Sequence, residues 1–303
     1  MYIILFFELL KTARGQYIYS TLNVPIKSIS RSWRVLLHWR LMKISDFQNT
    51  IWQYYRKHKR SFPWRKTRNP YHILVSEIML QQTQAPRVVA KYTSFLKKFP
   101  TTQSLATARL SDVLREWQGL GYNRRALYLK QCAEKIERDF GGKFPRDHKT
   151  LLSLPGIGPA TAGDLLAFAW NIPVVVIETN IRSVFIHFFF KNKDSVSDAD
   201  ILPLIQKTLD EQNPRDWYSA LFDYGAHLKE SGNPNKKSKH YTKQSPLKGS
   251  NREKRSQMLK LILQQPQTEK ELEKILGYGV SKNLETMQKE GLIKKVRGKF
   301  IIL

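Results

Sequence analysis

Leu154-Pro-Gly-Ile-Gly-Pro-Ala-Thr-Ala-Gly163, with Ile177-Glu178-Thr179-Asn180 a short way downstream, reads as a hairpin between two helices followed by a delivered carboxylate. Leu151, Leu152 and Leu154 end one apolar helix, and Gly156 and Gly158 supply a tight turn. Pro159 then opens a second helix that runs through Leu165, Leu166 and Phe168. Two glycines flanking one aliphatic residue let backbone N–H groups approach an anion, and the new helix adds the positive end of its dipole. A phosphodiester is the anion this arrangement suits. Glu178 waits at the end of the apolar run Pro173 to Ile177. A grip on phosphate beside a carboxylate implies chemistry on a nucleotide within a DNA strand.

The whole chain agrees with a polyanionic partner. Its 303 residues carry a net charge of +26, a field that suits counterion release along phosphates. A basic face for a membrane surface is the alternative, but the charge comes together with a phosphate-binding turn. Seven Trp, thirteen Tyr and fifteen Phe supply a core. The single cysteine, Cys132, excludes a disulfide framework and any all-cysteine metal cluster, and within a helical run it reads as an apolar filler. The opening Met1 to Leu10 is too short to span a bilayer and has no basic n-region, so no exported or anchored location follows and a cytoplasmic one is expected.

Residues 1–41 form a poorly patterned basic stretch, expected to be an N-terminal extension, a leader or a mistaken translation upstream of Met42. From residue 42 to 228 the pattern is helix after helix: an amphipathic run at Ile44, Phe47, Ile51, Trp52 and Tyr55, then Tyr71–Leu80, Pro86–Phe99, Leu105–Glu116 and Arg125–Phe140. The hairpin pair follows, then Asp198–Glu211 and Trp217–Leu228. Strand signals are almost absent, so this part should be all-α. Composition shifts to Lys, Ser, Asn and Pro over residues 229–255, read as a basic linker or loosely ordered loop. Residues 256–303 then show three helices, with Thr268 and Glu271 in capping-box spacing, and an alternating segment around a turn at Arg297-Gly298. That pattern resembles a winged helix-turn-helix, a module that grips DNA or mediates protein contacts; Lys282, Lys289, Lys294, Lys295, Arg297 and Lys299 favour DNA.

Glu77 shares a helix face with Ile73, Leu74 and Ile78, which points a carboxylate inward among apolar groups. Burial raises a carboxyl pKa and keeps a proton available near neutrality. Taken alone, Glu77 reads more readily as an N-terminal-turn acid or one half of a buried ion pair than as a catalytic group.

Its neighbours make it specific. Phe62-Pro-Trp64, Ser76-Glu-Ile-Met-Leu-Gln-Gln-Thr-Gln84, Gly119-Leu-Gly-Tyr122, Gly142-Lys-Phe-Pro145 and Leu154-Pro-Gly-Ile-Gly158 stand in the order and spacing of the MutY-type adenine DNA glycosylases. These are a branch of the helix-hairpin-helix base-excision glycosylases, and the resemblance runs from about Met42 to about Leu228. It implies two helical subdomains with a substrate cleft between them, acting on double-stranded DNA that carries a mispair or lesion. Glu77 matches the general acid that protonates adenine. Gln82 and Tyr122 match side chains that wedge into the base stack during flipping, with Leu120 beside them. Gly156, Gly158 and Thr161 match the phosphate grip, with a monovalent cation as a possible companion, and Trp64 and Gln81 match the base pocket. A helix-end cap for Gln82 and a core aromatic for Tyr122 stay open as readings.

Ala160 stands where strand-cutting relatives place a Schiff-base lysine, so the resemblance implies a monofunctional enzyme that leaves an abasic site. Two departures matter. Glu178 replaces the family's aspartate; glutamate is a poor helix N-cap, a role that passes to Thr179 in this reading. The family's four iron–sulfur cysteines fall on Lys229, Lys236, Lys239 and Ser245, so no cofactor is expected. The family's C-terminal domain that reads 8-oxoguanine has no visible counterpart. The resemblance therefore implies a monomeric, nucleoid-associated enzyme excising adenine opposite 8-oxoguanine or G. A glycosylase for T or U opposite G, or a non-catalytic damaged-DNA-binding protein, are the rival readings.

Overall fold

The computed structural model describes residues 5–11, 17–23 and 43–303, so most of the expected N-terminal extension lies outside the described residues. Within it, β1 (Leu5–Lys11) and β2 (Tyr17–Asn23) pair antiparallel, Leu5 opposite Asn23.

From residue 44 the protein is helical. The first helices are α1 (Ile44–His58), α2 (Pro70–Leu80), α3 (Ala85–Lys98), α4 (Thr102–Thr107), α5 (Leu110–Trp117) and α6 (Arg124–Phe140). Then come α7 (His148–Leu152), α8 (Pro159–Trp170), α9 (Thr179–Phe189), α10 (Asp198–Thr208) and α11 (Pro214–Ser231). Their ends are written in local chemistry. Asn69 accepts from the Tyr71 and His72 amides ahead of Pro70, Asp147 caps α7, and Ser197 with Asp200 forms a capping box for α10. One expectation fails: Leu105–Glu116 is not a single helix. A Thr101–Ser104 capping box starts α4 early, and the chain turns extended at Ala108 and Arg109 before α5 begins.

Two helical groups result. Helices α2 to α8 pack on one another, joined most closely where α2 meets α8 and α4 meets α6. The N-terminal α1 returns to pack on α11, which also lies along α9. Phe47 anchors this second group, its ring within 5.1–6.0 Å of Phe185, Phe188, Phe189 and Trp217. Both groups share a continuous core.

The contact between α9 and α11 depends on one missing side chain. A Cβ at Gly225 would lie 2.4 Å from the Asn180 carbonyl oxygen, so backbone meets backbone there. Gly225→Ala should cost roughly 2–3 kcal/mol, because neither partner can move aside without shifting a helix. Thermal melting checks this, and a melting point within a degree of wild type would refute the close-packing argument.

The C-terminal part folds as α12 (Asn251–Gln264), α13 (Glu269–Leu276), α14 (Ser281–Lys289) and an antiparallel hairpin of β3 (Ile293–Val296) and β4 (Lys299–Ile302). Thr268 and Glu271 make the anticipated capping box. Arg297 and Gly298 both have positive φ, as a two-residue hairpin turn requires. This part is docked on the rest: Arg255 pairs with Glu290, which also lies 4.0 Å from Arg124 of α6, and Arg115 donates to the Leu263 carbonyl at 3.2 Å.

The stretch 229–255 is more ordered than its composition suggested. It contains the end of α11, a 3-10 turn at Pro234–Lys237 and a parallel bridge from Ser238 to Val196, with Asn235 and Ser238 buried. Backbone pairing at Ser238 and the burial of Asn235 and Ser238 fix its first part, and composition does not report backbone pairing.

Candidate active site

The site lies where the two helical groups meet. Glu77 projects from the last turns of α2, Glu178 stands at the start of α9, and Asp164 comes from the middle of α8. Glu77 and Glu178 are half-buried by surface, with their carboxyls packed about by protein. Burial first, and the negative charge of Glu178 second, push the Glu77 carboxyl up to about 8. Arg65 opposes the shift, and so does a hydrogen bond with Asp164.

Glu178 is itself the N-cap of α9, contrary to the expectation that Thr179 takes that role. One carboxylate oxygen accepts from the Asn180 and Ile181 amides at 2.6 and 2.8 Å, and the other accepts from the Asn180 side chain at 3.1 Å. The extra methylene lets the carboxylate fold back onto the helix end, overriding glutamate's weak intrinsic preference. Burial raises its pKa, while those two amides and the charges of Lys229 and Arg182 pull against it. Tyr218 fixes the approach to this cap: its hydroxyl donates to the Val174 carbonyl and accepts from the Val176 amide.

The hairpin has the expected shape. Gly156 sits at φ +77°, and a Cβ there would press on Tyr128 at 2.8 Å. Gly158 is the N-cap of α8 and offers no side-chain cap, leaving the first amides of α8 without an internal acceptor. Ala160 is half-buried in the first turn. The Thr161 side chain is buried and accepts from Gln81 Nε2 at 3.3 Å, so it faces α2 instead of a strand outside.

Two turns project toward the same region. Gln82 is exposed at φ +54°, and Tyr122 is half-buried at φ +48°, left-handed conformations that non-glycine residues seldom adopt. One buried guanidinium holds both turns: Arg125 donates to the Ile78, Met79 and Gln81 carbonyls and to those of Leu120 and Gly121. The Tyr122 hydroxyl accepts hydrogen bonds from Gln244 and from Arg252, the latter at 2.9 Å, so the segment ahead of α12 touches it.

Two residues of the anticipated site sit deeper than the turns beside them. The Leu120 side chain is buried in the core and is not presented to a partner; only its carbonyl works, as an Arg125 acceptor. Trp64 is likewise buried, stacked on Phe62 at 4.9 Å and edge-on to Tyr92 at 5.5 Å. Its motif neighbour Arg65 is the one near the acids. Sequence reasoning missed Asp164, Arg65 and Arg125. A lone acid in the apolar run Ala162 to Ala169 was the available signal for Asp164.

Lys229, Lys236, Lys239 and Ser245 do not fit an iron–sulfur cluster. Lys229 faces Glu178, Lys239 donates its amide to the Val196 carbonyl, and Cys132 is buried on α6 far along the chain. Among the described residues no group of three or more His, Cys, Asp or Glu could hold a metal ion, and no helix is long and apolar enough to cross a membrane.

Residues 75–204 match the family described as HhH-GPD superfamily base excision DNA repair protein. That stretch is a little under half of the chain. The chain is similar to the adenine DNA glycosylase of Buchnera aphidicola subsp. Baizongia pistaciae, with 35% identity over 62% of this chain and 54% of the relative. It is also similar to that of Mycobacterium tuberculosis strain H37Rv, with 44% identity over 46% of each. The chain thus spans about half the length of the curated relatives it matches. Among solved structures, a thermostable thymine-DNA glycosylase aligns with TM-score 0.54 and 27% identity, covering 60% of this chain and 86% of that one. The matched stretch holds Glu77, Asp164 and Glu178, while Tyr218, Asp223 and Lys229 reach the site from beyond it.

Proposed function

We propose that this protein is a monofunctional DNA glycosylase of base-excision repair that removes adenine from mispairs, acting as a monomer on nucleoid DNA in the cytoplasm. The observation that carries this reading is the acid cluster where the two helical groups meet: Glu77 on α2, Asp164 on α8 and Glu178 at the head of α9, with burial and the charge of Glu178 favouring the protonated form of Glu77. Glu77 passes its proton to a ring nitrogen of the flipped base, and the bond from the base to C1′ breaks with its electron pair leaving on the base. Glu178 stabilises the positive charge left on the sugar and accepts a proton from the water that adds to C1′. Gly156, Gly158 and the first amides of α8 grip the strand's phosphate, with room in the reading for a monovalent cation. Gln82 and Tyr122 enter the stack from their two turns, which requires Gln244 and Arg252 to release the Tyr122 hydroxyl. The three helices and hairpin at the C-terminus, read as a winged helix, add a second contact through exposed Lys282, Lys289, Lys294, Lys295, Arg297 and Lys299.

The likeness to a thymine-DNA glycosylase supports a second reading, removal of T or U opposite G. Single-turnover assays on duplexes with A:8-oxoG, A:G, T:G and U:G separate the two. The expected result is alkali-labile sites at adenine alone, no nick before alkali and no borohydride-trapped adduct, since Ala160 cannot form an imine. Activity confined to T:G and U:G would favour the second reading. Binding with no excision on any duplex would make the protein a damage-binding module.

A further inference from the structure

We propose that Asp164 is a positioning residue for this reaction: held as a neutral acid, its O–H donates to one oxygen of Glu77 and leaves the other oxygen to carry the transferable proton into the cleft. The inference rests on the glycosylase reading for its kinetic consequences, though not for its geometry. Helices α2 and α8 face each other in two rungs. Gln81 and Thr161 form one, at 3.3 Å. Glu77 lies one turn before Gln81 and Asp164 one turn after Thr161, so the second rung joins the two carboxyls, which are hydrogen-bonded to each other.

Such a bond needs a proton, and its owner follows from the surroundings. Asp164 is the deeper group, 5% exposed, with Oδ1 buried and unpartnered. An anion there would leave that oxygen desolvated and charged, a cost that protonation lowers to that of a neutral carbonyl. The groups facing Asp164 are Glu77 on α2, Glu178 at the head of α9 and Tyr218 on α11, whose hydroxyl is committed to the Val174 and Val176 backbone. Both facing acids disfavour a third negative charge. The cations around the two glutamates are engaged otherwise: Arg65 with Asp223, Arg182 with Asp198. Arg65 faces Glu77, and Lys229 faces Glu178. Arg125 lies at the carbonyl end of α2.

When Glu77 gives its proton to the base, the carboxylate that remains accepts the Asp164 O–H. That proton never leaves Asp164. The donor steadies the charge that develops and fixes which Glu77 oxygen points at substrate.

Single-turnover excision between pH 5.5 and 9.5 tests this with Asp164→Leu and Asp164→Asn. Leucine removes the donor, so the rate near neutrality should fall about 30-fold, and the alkaline limb of the profile should move to higher pH because the Glu77 carboxylate has lost a stabilising bond. Asparagine keeps an N–H donor and should restore most of that loss. A limb that moves to lower pH in Asp164→Asn would show that Asp164 was ionised and would overturn the proposal, as would an Asp164→Leu profile of unchanged shape. Should wild type excise nothing, infrared spectra of the free protein still decide: a protonated-carboxyl band that persists at pH 9 and vanishes in Asp164→Asn supports the neutral acid, and its absence refutes it.

Discussion

Glu77→Gln should lower base excision by about a thousandfold or more while leaving duplex binding within a fewfold of wild type, because glutamine keeps the shape but carries no transferable proton. The same substitution should stabilise the protein in alkali. Folded Glu77 holds its proton up to about 8, against 4.5 for the unstructured residue. The folded state therefore binds the proton more tightly than the unfolded one, and stability falls as pH rises through that window. Each unit of difference corresponds to about 1.4 kcal/mol, shared here with Asp164 and Glu178, so the gain is a few kcal/mol at most. Melting curves at pH 4 and pH 8.5 read it: no gain at the lower pH, several degrees at the higher. Equal melting points at both pH values, or an excision rate close to wild type, would sink the assignment of Glu77 as a buried acid.

How much of this was legible in the sequence divides by range. Short-range chemistry was written plainly. Thr268 with Glu271 and the Arg297-Gly298 turn were read from their spacing, and Asn69, Asp147 and Ser197 with Asp200, not singled out there, act over the same few residues. Gly156 and Gly158 gave the hairpin for the same reason. The acids were half legible. Glu77 showed its inward face through Ile73, Leu74 and Ile78, but nothing local places it opposite Asp164, because that rung joins residues on two different helices. Asp164 sits in an apolar helix, where one charge reads as an oddity until its partner is known. Glu178 was misjudged as a cap since preference scales average over settings, and here burial and the side-chain amide of Asn180 hold the carboxylate over the helix end. Leu120 and Trp64 belong to motifs whose neighbours do the work. Leu120 fills the core so that its carbonyl can meet Arg125, and Trp64 packs so that Arg65 can turn toward Asp223.

Asp223→Ala should be the most destabilising single change at the site, by about 3–5 kcal/mol, since it strips the counter-charge from two arginines at once. The Asp223 side chain is 1% exposed and accepts four hydrogen bonds, from the Arg60 amide and Nε at 3.1 and 2.5 Å and from Arg65 Nη1 and Nη2 at 2.8 and 2.9 Å. Arg60 is 40% exposed and can regain water, so most of the loss comes from Arg65, which is 13% exposed and cannot. The pair also clamps the segment before α2 onto α11, together with Arg215, which donates to the Arg65 and Thr67 carbonyls at 2.8 and 2.7 Å. For a protein of this size the melting point should fall by roughly 10 °C. A second consequence separates this clamp from generic damage. Freed of Asp223, Arg65 directs more of its charge at Glu77, which favours the carboxylate and should draw the alkaline limb of excision to lower pH. Asp164→Leu moves that limb the other way, so the two variants bracket one acid from opposite sides. A shift in the same direction for both would mean that the limb does not report Glu77.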